Sequence, residues 1–111
     1  MPELTKIKCV ACRGDAPQVT DVEISEYQHQ VPDWGILEHD GIKRLQRIFQ
    51  FPDFAKAIAF TNLVGQLAEV ENHHPEILTE WGRVTVSWWT HKIRGLHRND
   101  FVAAAKTDEL F

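Results

Sequence analysis

Long apolar runs are missing from this chain. No stretch approaches the ~18 continuous apolar residues that a membrane span needs, and Met1 to Lys6 lacks the apolar core of a secretory signal. The expectation is a cytoplasmic protein with no membrane partner. Basic charge is also short. Twelve Lys and Arg face sixteen Asp and Glu, for a formal net charge of -4 and a pI near 5.8. Phosphate backbones are bound by concentrated positive surface, so no nucleic-acid partner is expected. The densest basic run, Lys43, Arg44 and Arg47, is short and reads as a solvated strand face. Cysteine is scarcer still: Cys9 and Cys12 are the only two. Their Cys-x-x-Cys spacing is half of a structural zinc site and is shared by redox pairs. No further cysteine completes the site, and no βαβ pattern surrounds the pair. The plainer reading is two reduced thiols; a zinc ion completed by His29, His39 or another subunit is the lesser one. Gly-x-Ser-x-Gly, P-loop and Rossmann glycine patterns are all absent, so none of those chemistries is on offer.

What remains is ordinary globular material, 43% hydrophobic and 25% charged over 111 residues. That length suits one domain with a modest core, which a second subunit would help to cover. Residues 1–18 read as an irregular extension, marked by Gly14, Asp15 and Pro17, and 19–111 as the domain. Thr20 to Glu23 fits a capping box, with Val19 and Ile24 placed as a hydrophobic staple, so a helix is predicted over 20–30, stopped by Pro32. Trp34 to Leu37 and Lys43 to Phe51, parted by His39-Asp40-Gly41, read as a hairpin. The second run does not alternate cleanly. Pro52 then opens a helix over 53–71, carried by the stripe Phe60, Leu63, Val64, Leu67 and Val70. Gly65 inside it suggests close approach of another backbone. Strands follow near Glu76 to Trp81 and Arg83 to Trp89, turned by Gly82. In the latter, Val84, Val86 and Trp88 form one apolar face. A last helix is predicted from Asn99 or Asp100. The order α-β-β-α-β-β-α predicts an α+β fold, a four-stranded antiparallel sheet with helices packed on one face.

Of six histidines, three stand out by position. His73 and His74 fall at the break between the long helix and the third strand, and His91 just past the fourth. If those strands pair as a hairpin, the start of one lies beside the end of the other, and the three meet at one sheet end. Imidazole exchanges protons near neutral pH, so such a cluster suits acid/base catalysis without a metal. Pro75 stops the helix and holds His74 extended. Glu69, four residues before His73, is placed to accept a hydrogen bond from an imidazole. Asp100 is placed to cap the last helix and to steady the His91 loop. The bland alternatives are a surface charge at Glu69, an ordinary cap at Asp100, and zinc held by three histidines; the helical His-x-x-x-His pair is absent, so metal ranks below metal-free catalysis. His29, His39 and His97 read as surface or satisfied residues.

The combined pattern, Glu69, His73-His74-Pro75, Trp81, His91 and Asp100 at their spacings, resembles the signature of the pterin-4a-carbinolamine dehydratase family. The likeness extends to Trp34, to Phe49-Gln50-Phe51-Pro52-Asp53-Phe54, to Trp89-Thr90-His91 and to Gly95-Leu96. The Cys-x-x-Cys extension is similar to one in many bacterial-type members. The resemblance implies removal of water from 4a-hydroxytetrahydrobiopterin or a related 4a-hydroxytetrahydropterin, with no cofactor. The product would be the quinonoid dihydropterin, in recycling linked to an aromatic amino acid hydroxylase. It also implies that His73, His74 and His91 line the substrate site, that Pro75 and Thr90 flank it, that Trp34 closes it, and that the protein is a homodimer or homotetramer. His73 and His91 are expected as the acid/base pair, with His74 holding the hydroxyl. Asn72 departs from the Asp common in animal members, and Lys92-Ile93-Arg94 fills a variable stretch. Two other roles follow from the resemblance: dimerisation partner of a transcription factor, or a pterin-binding protein of molybdopterin metabolism.

Overall fold

Thr20 caps the first helix, α1 (Asp21–Gln28), through a full capping box: the Glu23 amide donates to Thr20 Oγ1 at 3.2 Å, and the Thr20 amide donates to Glu23 Oε1 at 2.9 Å. A computed structural model of the chain describes residues 3–10 and 16–111, so Cys12 and the loop residues Gly14 and Asp15 lie outside it. After α1 come strands β1 (Gly35–His39) and β2 (Ile42–Gln50), helix α2 (Phe54–Glu71), strands β3 (Glu76–Glu80) and β4 (Arg83–Trp88), and helix α3 (Arg98–Leu110). The predicted order is the observed one. The first hairpin is tighter than expected, because His39 belongs to β1 and only Asp40-Gly41 turns. Both have positive φ, 52° and 77°, the signature of a type I′ turn.

The four strands form one antiparallel sheet in the order β1-β2-β4-β3. Leu45 pairs with Trp88, Arg47 with Val86 and Phe49 with Val84, which fixes the inward face. This register explains why β2 did not alternate cleanly. Arg47 points inward with Leu45 and Phe49. Its guanidinium lies over the Phe49 ring and donates to Asp108 Oδ1 on α3 at 2.7 Å. Arg44, on the other face, lies 4.0 Å from the centroid of the Trp89 ring. The expected solvated basic face therefore holds for Lys43 and fails for both arginines, which use their planar heads on aromatic surface.

Helices α2 and α3 lie on the apolar face, and α1 packs on α3. Asn99 to Ala105 are all buried, since α3 is covered by the sheet, α1, α2 and a 3-10 turn at Leu4–Lys6. Small side chains at Ala103, Ala104 and Ala105 allow that close approach. Leu4 is fully buried, so the described part of the extension, residues 3–10, is docked on the core. Helix α2 faces inward with Ala57, Phe60, Val64 and Ala68. Leu63 and Val70, expected on the buried stripe, are exposed, Val70 by 76%. Among the described residues nothing lies within 4 Å of where a Gly65 Cβ would stand, so none of them supplies the expected close backbone.

The N-cap of α3 is His97 rather than Asn99 or Asp100. Its Nδ1 accepts from the Asn99 amide at 3.0 Å, and Asp100, in the first turn, accepts from the His97 amide at 2.9 Å. Burial holds the His97 imidazole below its ordinary pKa; Arg98 and His73 push the same way, while Asp100 and Glu23 oppose. The folded state therefore binds the proton more weakly than the unfolded chain. The stabilisation is complete above the unfolded value of about 6.5 and is lost as pH falls below it. Replacing His97→Asn keeps a cap that does not titrate. Thermal melts between about pH 7 and pH 5 should show a shallower loss of midpoint in the variant than in the wild type, and equal slopes would contradict this assignment.

Candidate active site

Helix α2 ends two residues before Pro75 could end it. Asn72 adopts the left-handed conformation, φ 52° and ψ 41°, and its amide and that of His73 both return to Ala68 O. Asparagine tolerates this region better than most residues, so Asn72 is well suited to turn the chain here. The turn sends the two adjacent histidines apart. His73 goes inward: its ring stacks on Trp88, 14° from parallel, and its Nε2 lies 2.6 Å from Asp100 Oδ1. His74 goes outward, with Nε2 2.5 Å from Glu69 Oε2. The sequence placed Glu69 in register with His73; the left-handed turn hands it to His74 instead, and His73 takes Asp100.

Asp100 is 0% exposed, and its side chain ties the site to the start of α3. Oδ1 faces His73, while Oδ2 accepts from Thr90 Oγ1 at 2.9 Å and from the His97 amide at 2.9 Å. An isolated antiparallel bridge between Thr90 and Gly95 closes the loop that carries His91, in a 3-10 turn over His91–Ile93. A Cβ on Gly95 would meet the amide end of the exposed Gln18 side chain, which would have to swing aside. The His91 ring packs against Trp89 with centroids 4.6 Å apart.

These groups open on one cavity of about 190 Å³, bordered by Val10, Asn72, His73, His74, Thr90, His91, Lys92 and Asn99. The hairpin pairing of β3 with β4 does bring the three histidines to one sheet end. Larger, shallower hollows run along α2 beside Gly65 and across Trp89 on the outer sheet face, and neither gathers histidines. Pro75 follows the cluster without bordering the cavity. Trp34, expected to close it, is 1% exposed in the core, where its Nε1 donates to Asp108 at 2.8 Å and its ring meets Phe49 edge-on. Burial pushes the Asp108 carboxyl up against the lowering effect of its two donors, Trp34 and Arg47. Val10, Lys92 and Asn99 border the cavity and carried no sequence signal, apart from Asn99 standing next to Asp100.

The chain matches the family described as Pterin 4 alpha carbinolamine dehydratase over residues 17–110. It belongs to that family. A protein of Nitrosococcus oceani, bearing the name "Putative pterin-4-alpha-carbinolamine dehydratase", is 58% identical over 110 residues, which cover 99% of this chain and 97% of that one. A crystal structure from Brucella melitensis, described as a transcriptional coactivator/pterin dehydratase, superposes with a TM-score of 0.75 at 30% identity over 85% of this chain and 98% of that chain. A pterin dehydratase-like protein described as a RuBisCO assembly factor of the alpha-carboxysome shares the fold at a TM-score of 0.60 and 22% identity, over 74% and 93% of the two chains. Family membership places the chain among pterin dehydratases of the hydro-lyase class.

Cys9 stands outside the segment that matches the family. Its amide donates to Glu71 Oε1 at 3.2 Å and its Sγ lies 3.6 Å from Asn99 O. Burial, with the Glu71 charge beside it, pushes the thiol up to about 12. Burial also works against the Glu71 carboxylate, but Lys106 Nζ at 2.7 Å and the Cys9 amide hold it below the usual range. A thiol so placed stays protonated at neutral pH, and only the thiolate is nucleophilic. Alkylation of the native protein by iodoacetamide at about pH 7.5, read by peptide mass, should leave Cys9 unmodified until denaturant is added; rapid native labelling of Cys9 would refute this.

Proposed function

We propose that this protein removes water from 4a-hydroxytetrahydropterins, 4a-hydroxytetrahydrobiopterin among them, in recycling the pterin spent by an aromatic amino acid hydroxylase. The observation that carries the reading is the buried contact between His73 and Asp100 at the cavity wall. A carboxylate that accepts from Nε2–H leaves the neutral ring with a lone pair on Nδ1, the form of a general base. His91 has no hydrogen-bonded carboxylate among the described residues and is the matching acid. In the reaction, His73 takes the proton from the ring nitrogen. The nitrogen electron pair forms the C=N bond, the C4a–O bond breaks toward oxygen, and His91 protonates the departing hydroxyl as water. His74, held by exposed Glu69, grips the hydroxyl. No step calls for a metal or an organic cofactor. The coactivator and assembly-factor descriptions belong to the two solved structures; in this chain the two carboxylate-backed histidines favour dehydration.

The reading also takes the protein as a homo-oligomer. Val70, Leu63 and Ile58 on the outer side of α2 are exposed, as are Leu78 and Trp81 in the β3–β4 hairpin, and Gly65 leaves open room among the former. Apolar surface of that extent suits burial against another copy. Light scattering at micromolar concentration should give a dimer or tetramer mass, and a purely monomeric mass would contradict it.

Kinetics with synthetic 4a-hydroxytetrahydropterin test the assignment of roles. His73→Ala and His91→Ala should each lower kcat, by the ~100-fold to ~10,000-fold typical of general acid–base groups. Their double variant should lose less than the product of the two, since they act as one unit. His74→Ala should raise KM more than it lowers kcat. A strong chelator should leave the wild-type rate unchanged; a loss restored by zinc would reverse the metal-free reading. If His73→Ala and His91→Ala stay folded and keep near-normal turnover, the catalytic assignment is wrong.

A further inference from the structure

The cavity has a wall that lies outside the segment matching the family. Residues 3–10 form a strap, and its anchors are specific. Leu4 is buried against α3, and its amide donates to Gln30 Oε1 at 2.8 Å. Cys9 is held by Glu71, two residues before His73. Val10 is held twice by Asn99: its amide donates to Asn99 Oδ1 at 3.0 Å, and Asn99 Nδ2 donates to Val10 O at 2.6 Å. Asn99 is 1% exposed and directly precedes Asp100. A side chain that pairs reciprocally with one backbone residue fixes that residue as firmly as a strand partner does. With both its backbone polar groups held, Val10 remains 50% exposed and borders the cavity of His73, His74, Thr90 and His91. What it presents there is an apolar, β-branched side chain, stiff at χ1, beside polar imidazoles.

We propose that Val10 is a substrate-binding residue and Asn99 its positioning residue, the strap supplying an apolar wall against the flat face of the pterin ring. The proposal rests on the dehydratase reading and deepens it. A pocket of this kind orients its ligand through a few polar groups and binds it through apolar contact. The histidines supply the first; on the described side of the cavity near α3, Val10 supplies the second. Contact of this sort is made equally in ground and transition states, so it should act on KM and not on turnover. The strap would then set which pterin side chains are accepted, as a feature added to the matched domain.

The test is steady-state kinetics of the full-length chain with synthetic 4a-hydroxytetrahydropterin. Val10→Ala should raise KM about three- to tenfold, the effect of removing part of a buried Val contact, with kcat within about twofold. Val10→Ile should restore a KM near wild type. Asn99→Ala should raise KM at least as much and should also speed hydrogen exchange at the Val10 amide. Lys8→Ala, on the exposed side of the same strap, is the control and should change nothing. Thermal melts check that each variant folds; Val10 is half exposed, so its truncation leaves no cavity in the core. Unchanged KM in Val10→Ala beside an active wild type overturns the strap's role and leaves the dehydratase reading intact. A wild type that neither dehydrates the pterin nor quenches its tryptophan fluorescence on adding a dihydropterin overturns both.

Discussion

The molecule is organised around one buried carboxylate. An ionised Asp removed from water is strongly unfavourable unless its oxygens are met by donors. Asp100 is met three times, by His73, Thr90 and the His97 amide, and each donor belongs to a different piece of chain. His73 comes from the α2–β3 break, Thr90 from the end of β4, His97 from the start of α3. The first turn of α3 adds the positive end of its helix dipole. No one of these segments can shift without leaving part of a buried charge unpaired. The geometry of the candidate site and the junction of three elements are therefore the same set of contacts. Two supports lie behind it. Trp88, which stacks on His73, donates to Thr107, about two turns beyond Asp100 on α3, and Thr107 in turn donates to Ala103 O.

How much of this was legible in the sequence differs between elements for physical reasons. The α1 capping box, the Asp-Gly turn and the Val84, Val86, Trp88 face are local codes, and each held. The inner face of α2 was only half read, because Leu63 and Val70 are as apolar as Phe60 and Val64. Hydrophobic periodicity cannot separate a face buried within one chain from one left for another. Arg47 defeated the β2 pattern for a different reason. An inward arginine is tolerable only with a partner, and the partner, Asp108, is 61 residues away. Leu4 was lost inside a segment that reads as irregular, since a single apolar residue in a 3-10 turn makes no period.

The site shows the same division. The meeting of His73, His74 and His91 followed from strand pairing and held. Which histidine Glu69 would meet was left open, because the i, i+4 spacing points to His73 only if the helix runs on to that residue. A left-handed Asn72 breaks that register and rotates the two rings to opposite sides. Pairing Asp100 with His73 needed the last helix to start at Arg98 under a His97 cap, and histidine is not a usual capping signal. Trp34 was placed by resemblance. In this chain its indole spans the core to Asp108, on the carboxylate that Arg47 also uses.

The two histidine–carboxylate pairs are alike in chemistry and opposite in surroundings, and that difference is the ground for the proposed division of roles. His73 and Asp100 are almost wholly shielded, with side-chain exposures of 11% and 0%. Their hydrogen bond is strong in a low dielectric and fixes one tautomer and one ring plane, already constrained by the stack on Trp88. His74 and Glu69 are 57% and 77% exposed. Water competes for every donor and acceptor there, and solvent screening weakens the pair. A proton acceptor must be aimed before the substrate arrives, which favours the rigid pair. A residue that grips a hydroxyl and must then release water gains from looser restraint, which favours the exposed pair. Adjacent identical residues are thus given unlike surroundings by one left-handed residue before them.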